Sequence, residues 1–164
     1  THDINTTQWL TGNDYRSVAA HTAHRAGRDH EDLLALTGMM QNDVLVNHLV
    51  SRLSPMKVRL TTVTGERGTM VADTARVTLT FWENGSAPAE WENFQQFYGV
   101  TEGDMTRFAL RIVEPLKAEH EAFRNAILGG ADETVSLADG LYTLKVAEAA
   151  LTSAANGETV GVGG

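Results

Sequence analysis

The stretch Asp32–Leu53, DLLALTGMMQNDVLVNHLVSRL, decides the fold of this chain. Two apolar runs flank the polar pair Asn42-Asp43, a pattern that predicts a β-hairpin with a tight turn. Apolar side chains alternate onto both faces of each predicted strand, so neither face is polar. We therefore expect this hairpin to lie centrally in a sheet and to be covered on both faces.

Further predicted elements surround the hairpin. A short helix is predicted at His2–Leu10, because Gly12 follows as a helix stop. Alternating apolar and polar residues predict strands at Tyr15–His24, Met56–Thr64, Thr69–Ala72, Arg76–Trp82, Thr106–Val113 and, as a final edge strand, Thr159–Val162. The turn between the second and third of these strands is predicted at Gly65-Glu66-Arg67-Gly68.

Two amphipathic helices are predicted at the C-terminal end. The first begins at Glu114-Pro115 and stops at Gly129-Gly130, and the second begins at Ser136, a predicted N-cap. The order of helix, strands and helices predicts an α+β fold with an open, largely antiparallel sheet of about six strands. The two C-terminal helices are expected to cover one face of that sheet.

The second face of the predicted sheet needs another cover. A large exposed apolar face normally marks an interface, and a symmetric dimer is the simplest cover. The alternative is the aromatic-rich segment Ala87–Asp104, folded over the sheet as a loop. We favour the dimer.

Composition narrows the possible classes of function. The chain has 164 residues, which suits one domain over residues 1–164. A net charge of −8 argues against nucleic acid or an anionic membrane surface as partner. The absence of cysteine excludes disulfides, thiolate metal sites and cysteine nucleophiles, and it fits a reducing cytoplasm. No apolar run reaches the roughly 18 residues that a membrane span requires.

Four short motifs occur in the order in which one known family carries them. They are His2-Asp3-Ile4 followed by Trp9-Leu10-Thr11-Gly12; Val63-Thr64-Gly65-Glu66-Arg67-Gly68; Glu114-Pro115-Leu116-Lys117-Ala118-Glu119 followed by Phe123; and Ser136–Gly140 followed by Ala147-Glu148-Ala149 and Ser153. Together they resemble the C-terminal domain of the glucose–fructose oxidoreductase / inositol dehydrogenase / MocA family. The resemblance covers nearly the whole chain.

This resemblance implies part of an NAD(P)-dependent oxidoreductase acting on a sugar, a polyol or a related hydroxy compound. Members carry a Rossmann domain followed by an α+β domain whose open sheet serves oligomerisation, and this chain is similar to the second domain alone. A Gly-x-Gly-x-x-Gly turn is absent from it. We therefore expect NAD or NADP to bind outside this chain, the chain alone to be inactive, and the parent to form a homodimer or homotetramer.

The resemblance makes His2 the candidate catalytic residue. In the family, a histidine at this position follows an aspartate by four residues, and the pair works near the site of hydride transfer. An imidazole with a pKa near 6.5 can accept the proton of a hydroxyl that is being oxidised. The partner aspartate and the family's Glu-Lys-Pro motif are not in this sequence. The alternative is a frayed terminal histidine without a role in this chain.

Several other polar residues are predicted to be structural. Asp3 and Asn5 are assigned to capping of the first helix, Glu66 to a turn and Glu114 to a helix start. Gly140 inside a predicted helix indicates close packing of that helix on the sheet. No metal site is predicted. The spacings between the histidines His21, His24, His30 and His48 match no metal-ligand motif. His120, on the apolar stripe of its helix, is predicted to be interior or at an interface.

A second interpretation of the same residues is a stand-alone α+β module for binding or dimerisation, without chemistry. The sequence upstream of Thr1 distinguishes the two interpretations. A Gly-x-Gly-x-x-Gly strand–turn–helix and a Glu-Lys-Pro motif there would indicate the oxidoreductase.

Overall fold

A computed structural model describes residues 1–85, 101–111, 113–130 and 134–163. Within these ranges the helices are α1 (His2–Thr11), α2 (Pro115–Ile127) and α3 (Leu137–Asn156). The strands are β1 (Tyr15–Ala23), β2 (Leu33–Met40), β3 (Leu45–Ser51), β4 (Leu60–Gly65), β5 (Gly68–Asp73), β6 (Thr78–Gly85), β7 (Thr101–Phe108) and β8 (Val160–Gly161). Of the helices described, none is long and apolar enough to cross a membrane.

The fold class agrees with the sequence. The predicted α+β class, the antiparallel pairing and the two C-terminal helices are confirmed. The described strands form two four-stranded sheets, where we predicted one sheet of about six strands. The chain divides into two compact units. The first unit comprises Thr1–Pro55 and Ala122–Gly164, and the second unit comprises Met56–Glu121.

The predicted hairpin is present in the first unit. The strand order is β3-β2-β1-β8, so β2 is an inner strand and β3 is an edge strand. The loop enclosed by the pair Met40 and Val44 has three residues, Gln41–Asp43, with Asp43 in the left-handed region at φ 62°. The amide of Met40 donates to the carbonyl of Val44 at 2.9 Å and closes the turn. A left-handed third residue is usual in three-residue hairpin loops, and it replaces the two-residue turn that we predicted.

One face of this sheet is covered by helices, mainly by α3 with a contribution from α1. The apolar core beneath them has ten buried members: Ile4, Tyr15, Val18, Ala20, Leu36, Met40, Val146, Ala149, Ala150 and Val162. Two hydroxyls of α3 also bond to the backbone of β1. Tyr142 bonds to Tyr15, and the Ser153 hydroxyl accepts from the amide of Ala20 at 2.9 Å.

The opposite face, called the open face below, has no cover from the described residues of the first unit. Leu49 and Leu45 on β3 are 83% and 66% exposed there. The face also carries polar Thr37 and Asn47. The expectation that the hairpin is covered on both faces is therefore not met by the described residues of the first unit, because α1 and α3 lie on one side only. The alternative cover, Ala87–Asp104, falls outside the described residues as far as residue 100.

Helix α2 differs from its predicted role. No side chain of α2 is buried, and its apolar stripe, Leu116, Phe123 and Ile127, is 60–69% exposed. We predicted that both C-terminal helices cover the sheet. In the first unit, α3 and α1 supply that cover instead.

The second unit is a four-stranded antiparallel sheet with the order β4-β5-β6-β7. The predicted turn at Gly65–Gly68 is confirmed, with Gly65 paired to Gly68. Asp73 holds the next turn, since its carboxylate accepts from the amides of Ala75 and Arg76 and from the Arg76 guanidinium at 2.7 Å. That turn puts Val77 at φ 55°, so β6 begins at Thr78 rather than at the predicted Arg76.

Candidate functional site

The first turn of α1 carries the candidate catalytic residue. His2 is the first residue of the helix, and its side chain is exposed. Thr1 is the N-cap and makes no side-chain cap hydrogen bond. The prediction that Asp3 or Asn5 caps this helix is thus wrong in detail. Asp3 lies in the first turn, where a carboxylate interacts favourably with the helix dipole.

A hydrogen-bonded polar pair lies on the covered face of the first sheet. The hydroxyl of Tyr15, on β1, is 2.8 Å from Nε2 of His48, on β3. Tyr15 is 1% exposed and His48 is half-buried. The hairpin register places His48 opposite Leu36, which is a core residue. Sequence reasoning missed this pair, although the hairpin pattern alone fixes the face on which His48 lies.

Burial keeps both members of this pair neutral. It raises the pKa of Tyr15 to about 12, an effect that a side-chain hydrogen bond from Thr7 of α1 partly opposes. Burial lowers the pKa of His48 below its ordinary value, and the negative charge of Asp3 partly opposes this. The same Asp3 charge acts on Tyr15.

Helix α3 fixes the backbone of Tyr15. The Tyr15 amide donates to the Tyr142 hydroxyl at 2.6 Å, and that hydroxyl donates to the Tyr15 carbonyl at 3.2 Å. Burial also raises the pKa of Tyr142. The start of β1 is thus attached at two points to one side chain of α3.

The open face holds a shallow depression across β1, β2 and β3. The lining residues that belong to this face are small, apolar or polar: Ala19, His21, Ala35, Thr37, Asn47 and Leu49. The alanines leave room between the exposed Leu49 and His21. Such a shape accepts a side chain from a facing surface.

The remaining histidines do not come together. His24, predicted to end a strand, and His30 lie in the segment between β1 and β2. His120 is exposed on α2, so its predicted interior position is not observed. Asp32 closes the loop by accepting from the amides of Arg25 and Ala26 at 2.9 and 2.7 Å, bonds that lower its pKa. Across the described ranges, no group of three His, Asp or Glu side chains is arranged to hold a metal ion.

A dinucleotide usually binds with its pyrophosphate at a helix N-terminus, and two helix starts of this chain are already occupied. At α2 that position is taken by the Glu114 carboxylate, which accepts from the amides of Leu116 and Lys117 at 3.3 and 2.6 Å. At α3 it is taken by the capping box of Ser136 and Asp139. Both helix starts are satisfied by the chain's own carboxylates, so neither fits a pyrophosphate.

Of the residues predicted to be structural, Glu114 has the predicted role and Gly140 does not. Glu114 caps α2, in agreement with its predicted place at the helix start. The explanation offered for Gly140 is wrong, because an added Cβ at Gly140 would meet no atom within 4 Å. Close helix–sheet packing does not account for this glycine.

Comparison with protein families gives one match. The sequence profile described as "Oxidoreductase family, C-terminal alpha/beta domain" matches residues 1–162. No protein of curated function matches the sequence.

Several solved structures share the fold. UDP-N-acetylglucosamine 3-dehydrogenase GnnA from Acidithiobacillus ferrooxidans is 22% identical, with a TM-score of 0.73 over 93% of this chain and 47% of its own. The WlbA dehydrogenase from Bordetella pertussis, in complex with NADH and UDP-GlcNAcA, is 20% identical, with a TM-score of 0.64 over 98% of this chain and 42% of its own. Aldose-aldose oxidoreductase from Caulobacter crescentus, complexed with glycerol, is 19% identical, with a TM-score of 0.71 over 98% and 45%.

Because the sequence identities are 22% or lower, these similarities show only that the fold is shared. This chain spans less than half the length of each of the three structures.

Proposed function

This chain belongs to the C-terminal domain family of the glucose–fructose oxidoreductase / inositol dehydrogenase / MocA oxidoreductases, and from that premise we propose that it is one domain of an NAD(P)-dependent dehydrogenase. The whole enzyme would act on a sugar, a polyol or a related hydroxy compound. The observation that carries the proposal is the family match over residues 1–162.

The catalytic contribution of this chain is a proton acceptor at His2. The side chain is exposed at the first residue of α1, so a substrate hydroxyl can reach it. A neutral imidazole takes the proton that a hydroxyl loses when its carbon is oxidised. Asp3, one residue further along the same helix, adds negative charge beside the imidazolium that forms.

The cofactor, NAD or NADP, is held outside this chain in this proposal. A nicotinamide supplies the hydride acceptor when it is bound. The starts of α2 and α3 are occupied by Glu114 and by the capping box of Ser136 and Asp139. In this proposal the chain supplies substrate contacts, and the cofactor is held by another domain.

Nucleotide sugars belong on the list of candidate substrates. Among the similar folds, GnnA is a UDP-N-acetylglucosamine dehydrogenase and WlbA is bound to UDP-GlcNAcA. The third, an aldose-aldose oxidoreductase, is complexed with glycerol. All three names concern carbohydrate or polyol ligands, which supports the proposed substrate class.

Oligomerisation through the open face completes the proposal. Leu45 and Leu49 expose large apolar side chains there, beside the depression that is lined by Ala19 and Ala35. Two copies of this face would cover each other in a homodimer, and a pair of such dimers would give a homotetramer. We place the enzyme in the cytoplasm, because the chain has no cysteine.

The test uses the full-length protein and follows NAD(P)H formation at 340 nm. Myo-inositol, glucose and UDP-N-acetylglucosamine serve as substrates. We expect oxidation of a member of this set, and a loss of at least about 100-fold in kcat for His2→Asn, the usual lower range for a general base. His30→Asn, in the exposed segment between β1 and β2, is the matched control and should retain turnover. Equal kcat for His2→Asn and wild type would contradict the role of His2.

The second candidate is a stand-alone binding or dimerisation module without chemistry. The exposed Leu45 and Leu49 favour it, because an interface needs apolar area and no catalytic residue. A coding sequence that carries an upstream Rossmann domain would argue against it. Dimerisation of the full chain without any dehydrogenase activity would support it.

A further inference from the structure

Strand β3 lies at the edge of the first sheet and is weakly anchored by its own side chains. In the described part of the chain it pairs with β2 alone, and none of its residues is buried. Its open side carries Leu45 and Leu49, which are 66% and 83% exposed. The strand with the most exposed apolar side chains of the open face therefore needs an anchor other than burial.

The Tyr15–His48 hydrogen bond is such an anchor. The Tyr15 hydroxyl lies 2.8 Å from Nε2 of His48, and the two ring centroids are 6.4 Å apart. Backbone pairing joins β1 to β2 and β2 to β3, whereas this bond joins β1 directly to β3. The tyrosine ring passes over β2 at Gly38, where an added Cβ would lie 2.9 Å from Cδ1 and Cε1. A glycine thus leaves the room that the direct link requires.

The strand that supplies Tyr15 is itself firmly held. The Tyr142 hydroxyl bonds to both the amide and the carbonyl of Tyr15, at 2.6 and 3.2 Å. Strand β1 lies between β2 and β8, and α3 packs on it. A bond from a fixed strand restrains the less fixed one, so Tyr15 restrains His48. The ion pair of Arg16 with Asp43, before β3, is exposed, and exposed ion pairs contribute little.

The open face is suited to a second copy because it carries no charged side chain. The register of β1, β2 and β3 places four rows of three residues on it: Ser17, Met39 and Leu45; Ala19, Thr37 and Asn47; His21, Ala35 and Leu49; Ala23, Leu33 and Ser51. A net charge of −8 makes two copies repel each other in general. This face avoids the repulsion, and it offers both a protruding Leu49 and an alanine-lined depression. Such a surface can pair with its own copy.

We propose that Tyr15 and His48 are positioning residues for the contact between two open faces. Their hydrogen bond holds β3 in place, and with it Leu45 and Leu49. Side chains alternate along a strand, so a restraint on His48 from the covered face also fixes its neighbour Leu49, which points to the open face. This inference rests on the proposed function for the contact between copies. The restraint on β3 is a property of the fold itself.

The first experiment needs no oligomer. Hydrogen exchange of the full-length protein at neutral pH should be about 10-fold faster for the β3 amides in Tyr15→Phe, because one hydrogen bond is lost. His48→Leu should give the same result. His48→Gln should restore slow exchange, since its amide oxygen can replace Nε2 as the acceptor. Wild-type exchange of β3 in both Tyr15→Phe and His48→Leu would overturn the restraint.

The second experiment measures the dissociation constant of the full-length oligomer by analytical ultracentrifugation. We expect Tyr15→Phe and His48→Leu to raise it about 10-fold and His48→Gln to return it to within about 3-fold of the wild type. Ser153→Ala is the matched control, because it also removes one hydroxyl, which bonds to β1 at Ala20 and not to β3. It should lower stability and leave the dissociation constant within about 2-fold.

The control separates positioning from a general loss of stability. Equal weakening of the oligomer by Ser153→Ala and by Tyr15→Phe would overturn the positioning role. A monomeric wild type would count against the proposed contact between copies, because the hydrogen-exchange measurement still decides whether the Tyr15–His48 bond restrains β3.

Discussion

Two glycines of this chain differ in the space that an added side chain would find. Gly38 lies beneath the Tyr15 ring, whereas Gly140 lies on α3 with open space around it. We expect Gly38→Ala to lower the free energy of unfolding by about 1–3 kcal/mol, because the ring and Val46 must move. Gly140→Ala should raise it by about 1 kcal/mol, since alanine favours a helix and no atom opposes it.

Urea denaturation of the two variants, side by side, tests this contrast. Each glycine is the control for the other, because the same methyl group is added in both. A loss of stability in Gly140→Ala would contradict the open surroundings of that residue. Unchanged stability in Gly38→Ala would contradict the crossing of Tyr15 over β2.

The buried pair also makes stability depend on pH. Burial lowers the pKa of His48 in the folded chain, so below about pH 6.5 the unfolded chain binds a proton that the folded chain resists. Stability should therefore fall as the pH decreases from about 7 to 5. Burial raises the pKa of Tyr15 to about 12, so stability should fall again as the pH rises above the ordinary tyrosine value of about 10.

Unfolding free energies measured at intervals from pH 5 to 11 check both limbs. His48→Gln should flatten the acid limb and Tyr15→Phe the alkaline limb, while His21→Gln leaves both in place. An acid limb that persists unchanged in His48→Gln would show that other groups cause it.

At the scale of elements, α3 is joined to β1 by a buried hydroxyl. Ser153, 1% exposed, accepts from the Ala20 amide at 2.9 Å and donates to the Glu158 carbonyl at 2.6 Å. Strand β8 pairs with β1 only at Ser17 and Val18, so it does not reach the Ala20 amide. We expect Ser153→Ala to cost about 1–3 kcal/mol of stability, because two backbone groups lose their partner.

Thr152→Ala is the matched control for Ser153→Ala in thermal or urea unfolding. Its hydroxyl bonds only to the Glu148 carbonyl within the same helix, and the residue is exposed. It should change stability by less than about 0.5 kcal/mol. Equal effects of the two substitutions would show that the Ser153 bonds add nothing.

Local signals predict the elements well. Gly12 ends α1 in the left-handed conformation at φ 63°, and Ser136 with Asp139 forms both bonds of a capping box. Such signals depend on residues only a few positions apart, so the sequence displays them. The alternating pattern fails at Val77 because Asp73 binds the amides of the turn before it, which draws Val77 out of the strand.

Relations between distant segments could not be predicted. The hairpin of β2 and β3 is recognisable, but its place at the sheet edge depends on β1 pairing with β2 and on β8 pairing with β1. The Tyr15–His48 bond likewise needs the register of two strand pairs and the gap at Gly38. The motif points to His2, whereas the Tyr15–His48 pair emerges only from the fold.

At the scale of the whole molecule, the open face is expected to pair with a second copy. Leu49, on the edge strand β3, is 83% exposed beside the alanine-lined depression. Leu49→Asp should convert the full-length dimer or tetramer to smaller species, because two carboxylates would be buried at the symmetric contact. Light scattering measures the mass, with Leu137→Asp, 81% exposed on α3, as the control. A monomeric wild type at high concentration would contradict the pairing.

The central claim is that a separate domain of the enzyme binds the cofactor and that this chain does not. Isothermal titration of NADH into the full-length protein and into this chain alone tests it most directly, with circular dichroism to verify that the chain is folded. We expect micromolar binding by the full-length protein and no measurable heat with the chain alone, whose starts of α2 and α3 are filled by Glu114 and Asp139. Micromolar binding of NADH by the isolated chain would contradict the account.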